Sequence, residues 1–146
     1  MVYPGDGQKR EKEPMKFRDE SYSRELISSF SEEDFPLLHD MCRSNEYGVN
    51  ENVKILSELY TGSDMLAVAI YRDKWEEETA TTKRRILVLE VNKNKHLLGL
   101  GKKMLDELKW DCEEIRLGYV PESKEFYRKN GFEESGECEL RWRRDE

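Results

Sequence analysis

The sequence predicts a mixed α/β fold: a largely antiparallel sheet flanked by helices, with a strand–loop–helix–strand unit at its centre. Residues 65–71 form a continuous apolar run, which is typical of a central strand. A second apolar strand, within residues 83–92, leads into a glycine-spaced loop and then a helix. The last segment alternates Cys138, Leu140 and Trp142 with charged residues, which is the period-two pattern of a strand with one solvated face.

Length and composition fit one folded domain. The chain has 146 residues, 39% charged and 36% hydrophobic, and its apolar residues are grouped in segments, which indicates a core beneath a charged surface. Residues 1–20 are rich in Gly, Lys and Glu and lack an apolar stretch. We therefore predict a flexible N-terminal tail over residues 1–20 and a single domain over residues 21–146.

The charge balance and the scarcity of metal-binding side chains argue against several functions. A net charge of −7 disfavours a general nucleic-acid binder and mildly favours a cationic acceptor such as an amine. Two histidines and three well-separated cysteines offer no zinc-type spacing, so no metal site is predicted. An odd number of cysteines without a secretory signal predicts free thiols in the cytoplasm. No apolar run reaches the roughly eighteen residues of a membrane span.

The N-terminal half is predicted less sharply. Residues 21–30 are compatible with a first strand, and Ser31 with Asp34 has the spacing of a capping box that begins a helix. Residues 50–60 have helical apolar spacing, although a hairpin strand within them is also compatible because turn residues follow. Residues 73–82 are predicted to form a polar connector.

The glycine-spaced loop is the first candidate functional segment. His96-Leu97-Leu98-Gly99-Leu100-Gly101-Lys102 places two glycines at the predicted helix start. The first N–H groups of a helix lack intrahelical acceptors, and the helix dipole favours negative charge there. Glycine also lets a backbone approach a bulky anion. The loop is therefore predicted to cradle a pyrophosphate through the N–H groups of residues 98–102, although such glycine pairs also occur in ordinary tight turns.

A second candidate segment spans residues 121–132. Pro121 suits the first turn of a helix, Lys129 suits its last turn, and Gly131 can adopt the left-handed conformation that ends it. Residues 115–120 form the predicted strand that precedes this helix.

The two segments together resemble the motifs of the GNAT superfamily of acetyl-CoA-dependent N-acetyltransferases. The family's loop motif is Gln/Arg-x-x-Gly-x-Gly/Ala, and residues 96–101 match both glycines with His96 at the first position. Residues 127–132 match the second motif, Tyr-x-Lys-x-Gly-Phe, throughout. The resemblance covers residues 84–134. It implies a GNAT-like fold and direct transfer of an acetyl group from acetyl-CoA to a primary amine without a metal.

The resemblance also implies roles for individual residues. The main chain of Leu89 and Val91 would hold the pantetheine arm, and Tyr127 would protonate the departing thiolate, unless it is only a core residue. Glu90 is a candidate general base, although it could instead form a structural ion pair while water deprotonates the amine. The residues expected to hold the pyrophosphate are His96, Leu98, Gly99, Leu100, Gly101 and Lys102.

The chain departs from the family's pattern in three places. His96 replaces the usual Gln or Arg, the stretch before Tyr127 lacks the frequent asparagine and offers Ser123 instead, and the polar connector implies that one strand is shortened or absent. His96 and the missing asparagine support an alternative, a GNAT-fold protein that binds acyl-CoA, or has lost it, and acts in interaction or regulation. A nucleotide-binding α/β protein is a weaker alternative, because no Walker-type motif is present. A small-molecule or protein acceptor, and a monomer or homodimer, stay open.

Overall fold

The computed structural model describes residues 15–44, 55–61, 64–95 and 99–144. Their strands are β1 (Lys16–Ser21), β2 (Ile55–Thr61), β3 (Asp64–Glu76), β4 (Thr81–Val91), β5 (Glu114–Gly118), β6 (Glu133–Gly136) and β7 (Glu139–Arg143). Their helices are α1 (Arg24–Ser28), α2 (Pro36–Ser44), α3 (Leu100–Lys109) and α4 (Lys124–Lys129), the last preceded by a 3₁₀ turn (Pro121–Ser123).

The strands form one seven-stranded sheet in the order β1-β2-β3-β4-β5-β7-β6. Within the described residues every neighbouring pair is antiparallel except β4 with β5, which are parallel and joined through α3. A mixed, mostly antiparallel sheet flanked by helices is therefore confirmed.

The helices cover the two faces of the sheet with separate hydrophobic cores. On one face, α3 and α4 pack on β3, β4, β5 and β7, and α3 buries Leu100, Met104, Leu105 and Leu108 at helical spacing. On the other face, α1 and α2 cover part of β3 and β4, around Phe35, Leu38, Val68 and Ile70. In the described residues no helix packs on the same face of β5 and β7. None of the helices in the described residues is long and apolar enough to span a membrane.

A buried arginine ties three elements of the first face together. The guanidinium of Arg84 on β4 donates two hydrogen bonds to the carboxylate of Asp73 on β3, at 2.8 and 2.9 Å. It also donates to the carbonyl of Leu108 on α3, forms an ion pair with Asp111, and stacks 4.1 Å from the centre of the Tyr71 ring. Its side chain is only 3% exposed, so these contacts compensate the desolvation of the charge.

The elements of the C-terminal half agree with the sequence predictions. Residues 65–71 lie in β3, and α3 begins directly after Gly99. The strand predicted within residues 83–92 is β4, which begins two residues earlier and ends one residue earlier. The segment after Pro121 is helical, and Gly131 has the expected left-handed conformation with φ of +94°. The alternation in the last segment is confirmed for Leu140 and Trp142, which pack in the core while the charged residues face the other way. It is wrong for Cys138, which is exposed in the turn before β7.

Three predictions in the N-terminal half are wrong. The first strand is Lys16–Ser21 rather than residues 21–30, so residues 16–20 pair with β2 and are not a tail; residues 1–14 of that predicted tail lie outside the described residues. Ser23 instead begins α1 by accepting a hydrogen bond from Leu26 N–H. The helix predicted after Ser31 is present as α2, but its predicted start is wrong, because the Ser31 hydroxyl accepts from Glu33 and Asp34 N–H within a turn and α2 begins only at Pro36. Local capping patterns could not reveal which of these segments finds a strand partner.

The predicted helix over residues 50–60 and the predicted connector over residues 73–82 are also wrong. The alternative hairpin strand is correct, because Ile55–Thr61 pairs with both β1 and β3; residues 50–54 lie outside the described residues. The polar stretch forms the end of β3, a turn over residues 77–80, and the start of β4. Its charged side chains are compatible with strands because one face of this hairpin is solvated. In the described residues three strands, β1 to β3, therefore precede β4.

Candidate active site

A gap opens in the middle of the sheet between β4 and β5. Their parallel pairing covers only Lys83–Ile86 of β4 and Glu114–Leu117 of β5. Beyond it, β4 continues through Val91 beside β3, whereas β5 ends at Gly118 and the chain turns away. The edge of Leu87–Val91 that faces away from β3 has no partner strand in the described residues. Unpaired strand backbone of this kind can bind an extended ligand as an added strand.

A bulge at Leu87 marks the start of the gap. Tyr71 pairs with Ile86 and Ile70 with Val88, so Leu87 is an extra residue on β4. The extra residue reverses the alternation of side chains and bends the strand. As a result, Ile86, Leu89 and Val91 all pack in the core under α3, while Val88 packs on the opposite face. Leu89 and Val91, predicted to hold the pantetheine arm, thus lie in the open stretch of β4.

The start of α3 packs on the face of the sheet to which Leu89 and Val91 of the open stretch point, because Leu100 lies in the same core as these two residues. Gly99 is the N-cap with φ of +80°, it makes no side-chain capping bond, and no atom of the described residues lies within 4 Å of where its Cβ would be. No side chain of the described residues caps the first-turn N–H groups, from Leu100 to Lys102, which suits an anion. The ammonium of Lys102 is 2.8 Å from the carboxylate of Asp106 one turn along. His96 and Leu98 lie outside the described residues.

Gly101 is glycine for a reason that differs from the sequence-based one. A Cβ at this position would lie 2.8 Å from Cζ of Phe126 on α4, which is closer than real contacts allow. The missing side chain thus lets α3 and α4 pack together and does not by itself clear room for an anion. The N–H of Gly101 still belongs to the first turn of α3.

Tyr127 lies on α4 in the core that also contains Leu89 and Val91. Its ring is 8% exposed and packs edge-on against Phe126 and Phe132, with ring centres 5.1 and 5.4 Å apart. The hydroxyl makes no hydrogen bond to any described residue. Its oxygen is nevertheless not a fully buried polar atom that lacks a hydrogen-bond partner, because the described residues contain none. Burial raises the pKa of Tyr127 to about 12, so the phenol stays protonated at neutral pH. A protonated hydroxyl that makes no hydrogen bond to another described residue thus belongs to the side chain that shares a core with the open stretch of β4.

Glu90 lies on the other face of β4 and contacts α2. Its two carboxylate oxygens accept hydrogen bonds from the backbone N–H groups of Leu37 and Leu38, at 2.9 and 2.7 Å. Both N–H groups belong to the first turn of α2, so Glu90 caps that helix from a distant strand. Burial raises the pKa of Glu90, and the two hydrogen bonds partly offset the rise. The structure does not bring Glu90 and Tyr127 together.

Asn92 holds the end of the open stretch of β4 in place, and no role was predicted for it from the sequence. Its side chain is buried, its Nδ2 donates to the carbonyl of Met65 at 2.9 Å, and its Oδ1 accepts from Asn94 N–H at 2.8 Å. Its own N–H donates to the carbonyl of Leu66 at 2.8 Å. An asparagine directly after an apolar strand, followed by a second asparagine, was the available signal. The bulge at Leu87 left no comparable sign in the sequence.

Comparison with known proteins identifies the fold. No protein-family model matches the chain, and no curated protein matches its sequence. Among solved structures, the Bacillus subtilis N-acetyltransferase YlbP, in complex with coenzyme A, is 17% identical with a TM-score of 0.58 over 90% of this chain and 97% of that one.

Two further solved structures are similar along most of their length. A GNAT-family acetyltransferase of Staphylococcus aureus is 13% identical, with a TM-score of 0.53 over 83% of this chain and 94% of that one. The aminoglycoside acetyltransferase meta-AAC0020 from an uncultured soil sample, in complex with sisomicin, is 12% identical, with a TM-score of 0.56 over 84% and 93%. At such identities the similarity is one of architecture. The chain has the fold of the GNAT acetyltransferases.

Proposed function

We propose that the protein is an acetyltransferase that moves the acetyl group of acetyl-CoA directly to a primary amine. The observation that carries the proposal is the gap between β4 and β5, because Leu89 and Val91 beside it share one core with Tyr127 and with Leu100 at the uncapped start of α3. Structural neighbours that were crystallised with coenzyme A support the same donor. The matches of residues 96–101 and 127–132 to the family's motifs support it independently.

The residues around the gap suit the two ends of this donor. The first-turn N–H groups from Leu100 to Lys102 would hold the pyrophosphate, with Gly99 leaving space beside them. His96 and Leu98 complete the proposed loop. The unpaired backbone of Leu89 and Val91 would hold the extended pantetheine arm as a strand is held.

The bound donor would supply a thioester, which the protein must position. The reaction also requires a proton for the departing sulfur and the removal of a proton from the amine. The hydroxyl of Tyr127 would donate a hydrogen bond or proton to the departing sulfur. The burial that raises the pKa of Tyr127 would act in the same direction on a thiolate in the same environment, so proton transfer between them stays balanced. Glu90 is the weaker assignment as a general base, since both its oxygens are engaged by α2; we propose that water removes the amine proton.

The acceptor is proposed as an amine of a small molecule or of a protein. The solved complex of a neighbour with sisomicin supports a small-molecule amine in this fold. Cys42, Cys112 and Cys138 are free thiols, which is consistent with the proposed cytoplasmic location.

Calorimetric titration with acetyl-CoA, with ATP as the control ligand, tests the donor site. Two variants at Gly99 make the test specific, because Asn and Asp both tolerate a left-handed backbone but only Asp adds a negative charge. We expect acetyl-CoA to bind and ATP not to bind. We also expect Gly99→Asp to weaken acetyl-CoA binding roughly tenfold or more relative to Gly99→Asn. Equal affinities of the two variants would remove the pyrophosphate from the start of α3.

Release of free CoA in the presence of a panel of amines then tests transfer. Turnover that depends on an amine supports the enzyme. Tight binding of acetyl-CoA with no turnover on any amine class would favour the alternative, a GNAT-fold acyl-CoA-binding protein that acts through interaction or regulation.

A further inference from the structure

Four arginines lie side by side across the open face of the sheet. Arg72 on β3 pairs with Arg85 on β4, Arg85 with Arg116 on β5, and Arg116 with Arg141 on β7. We call these four residues the arginine row. Neighbouring strands lie about 4.8 Å apart, so the row is about 14 Å long.

The arginine row faces away from α3 and α4. The residues that alternate with it along the strands, Tyr71, Leu117 and Leu140, are buried in the core beneath those helices. A second register row, directly beside the first, consists of Lys74, Lys83, Glu114 and Arg143. Together the two rows line much of an open groove of about 600 Å³.

The arginine row lowers the stability of the folded chain unless negatively charged groups lie close to it. Like charges directly opposite each other on neighbouring strands repel. Glu139 relieves part of this repulsion, because it lies 3.0 Å from Arg85 and 3.7 Å from Arg116, and the hydrogen bond from Arg85 lowers the pKa of Glu139. Arg72 and Arg141 form no ion pair with any described residue. Glu133 is paired with Arg141 in the strand register but does not form an ion pair with it.

The local charge is opposite to that of the whole chain. On the open face of β3, β4, β5 and β7, the two rows together with Glu76 and Glu139 carry seven cations and three carboxylates, whereas the chain has a net charge of −7. Long anions such as nucleic acids would be repelled by the acidic remainder of the surface. A short acidic segment would be attracted to this face alone. Arginine is also suited to binding an acidic segment, because a guanidinium binds a carboxylate through two parallel hydrogen bonds.

The arginine row lies next to the gap. Arg85 and Arg116 are paired one residue before Ile86 and Leu117, the last pair before β4 and β5 separate. Helices α3 and α4 occupy the other face, on which the donor would lie, so an acceptor must reach the gap from the face of the arginine row. Nearby cations also lower the pKa of an amine and so favour its neutral, nucleophilic form.

We propose that the arginine row binds the acidic side chains of a polypeptide acceptor and presents a primary amine next to them to the gap. The presentation of the amine rests on the proposed acetyl transfer, while the binding of the acidic segment does not. Carboxylates at alternate positions of an extended segment are about 6.7 Å apart, so three of them span about 14 Å. That length matches the arginine row and exceeds most small amine-containing metabolites.

Fluorescence anisotropy with a labelled Asp/Glu-rich decapeptide, acetylated at its N-terminus so that it cannot react, tests the binding step. The protein should bind this peptide in a salt-dependent manner and should not bind a Lys-rich peptide. The double variant Arg72→Gln/Arg141→Gln should bind roughly tenfold more weakly. It removes two cations without ion pairs, so its thermal stability should be unchanged or higher. The matched control Lys16→Gln/Arg128→Gln removes two exposed cations elsewhere and should bind like the unmodified protein.

Equal losses in the double variant and its control would overturn the proposal, as would tighter binding of duplex DNA than of the acidic peptide. A second arm compares acetylation of an acidic peptide that carries a free amine with that of its Gln/Asn counterpart. The acidic peptide should be the better acceptor through KM, and Arg72→Gln/Arg141→Gln should abolish the preference with little change in kcat. Transfer without any preference overturns acceptor selection by the arginine row. Binding without transfer to any amine overturns the proposed acetyl transfer and leaves the anion-binding face standing.

Discussion

Tyr127 shows how one side chain can belong to the core and still be available for chemistry. Its ring is packed between Phe126 and Phe132, whereas its hydroxyl has no hydrogen-bond partner among the described residues. Removal of the hydroxyl should therefore leave the packing intact. A functional test at this position is not confused with a folding defect.

We expect Tyr127→Phe to bind acetyl-CoA normally and to lose about 10²-fold in kcat, because only the proposed proton donor is removed. Steady-state kinetics with an amine that is turned over, together with calorimetry, measure the two quantities. Tyr22→Phe, on the opposite face of the sheet, is the control. An unchanged kcat would return Tyr127 to a purely structural role.

The raised pKa of Tyr127 also predicts a loss of stability at alkaline pH. The unfolded chain releases the phenol proton near pH 10 and the folded chain near pH 12, so the contribution is complete below pH 10 and is lost as the pH rises through about 12. Across this window the unmodified protein should lose on the order of 2 kcal/mol more unfolding free energy than Tyr127→Phe. Urea unfolding at pH 9 and 12 measures the difference, and parallel losses would show that the phenol is not buried in solution.

Gly101 predicts a double-mutant effect. Gly101→Ala should destabilise the protein by on the order of 1 kcal/mol, because overpacking against Phe126 outweighs the gain in helix propensity. In a Phe126→Leu background the same change should be neutral or stabilising, since the ring is gone. Urea unfolding of the four proteins measures the coupling. A penalty that persists without the ring would rule out the contact between α3 and α4 as its cause.

At the scale of elements, β4 and α2 are joined by a single carboxylate. Glu90→Ala would leave the N–H groups of Leu37 and Leu38 without their acceptor and should cost about 0.5–2 kcal/mol, the usual value for the loss of a helix cap. Glu90→Gln keeps one acceptor and should cost less. We expect kcat of the folded variants to change only a few-fold. A hundredfold fall in kcat with a shifted pH profile would instead make Glu90 the general base.

The elements that could be predicted from sequence are those whose signals are local. The strand before His96, the start of α3 and the helix that ends at Gly131 each carry their own periodicity and terminal residues. Residues 16–21 and 73–82 carry no such signal, because they become strands only through their partners in the sheet. The same holds within the site: the position of Tyr127 could be predicted, but the capping role of Glu90 depends on a helix more than fifty residues away. The arginine row needs the register of four strands before it exists.

At the scale of the molecule, Arg84 connects the sheet to α3 two residues before Ile86, where the pairing of β4 with β5 ends. Arg84→Ala would leave Asp73 and the carbonyl of Leu108 without their partner and should cost about 3–5 kcal/mol. Arg128→Ala, an exposed arginine on α4, should change stability by less than about 0.5 kcal/mol. Thermal unfolding compares the two, and similar melting temperatures would show that Arg84 is dispensable for joining the layers.

The separation of β4 from β5 gives the sheet two edges in its interior as well as the two at its margins. A largely apolar edge such as Leu87–Val91, which has no partner strand in the described residues, is the kind of edge through which chains join one another into aggregates. A donor arm that lies along β4 would seal that edge. Acetyl-CoA would therefore act as a protective ligand as well as a reactant, and the supply of the donor would govern how much of the protein stays free of self-association.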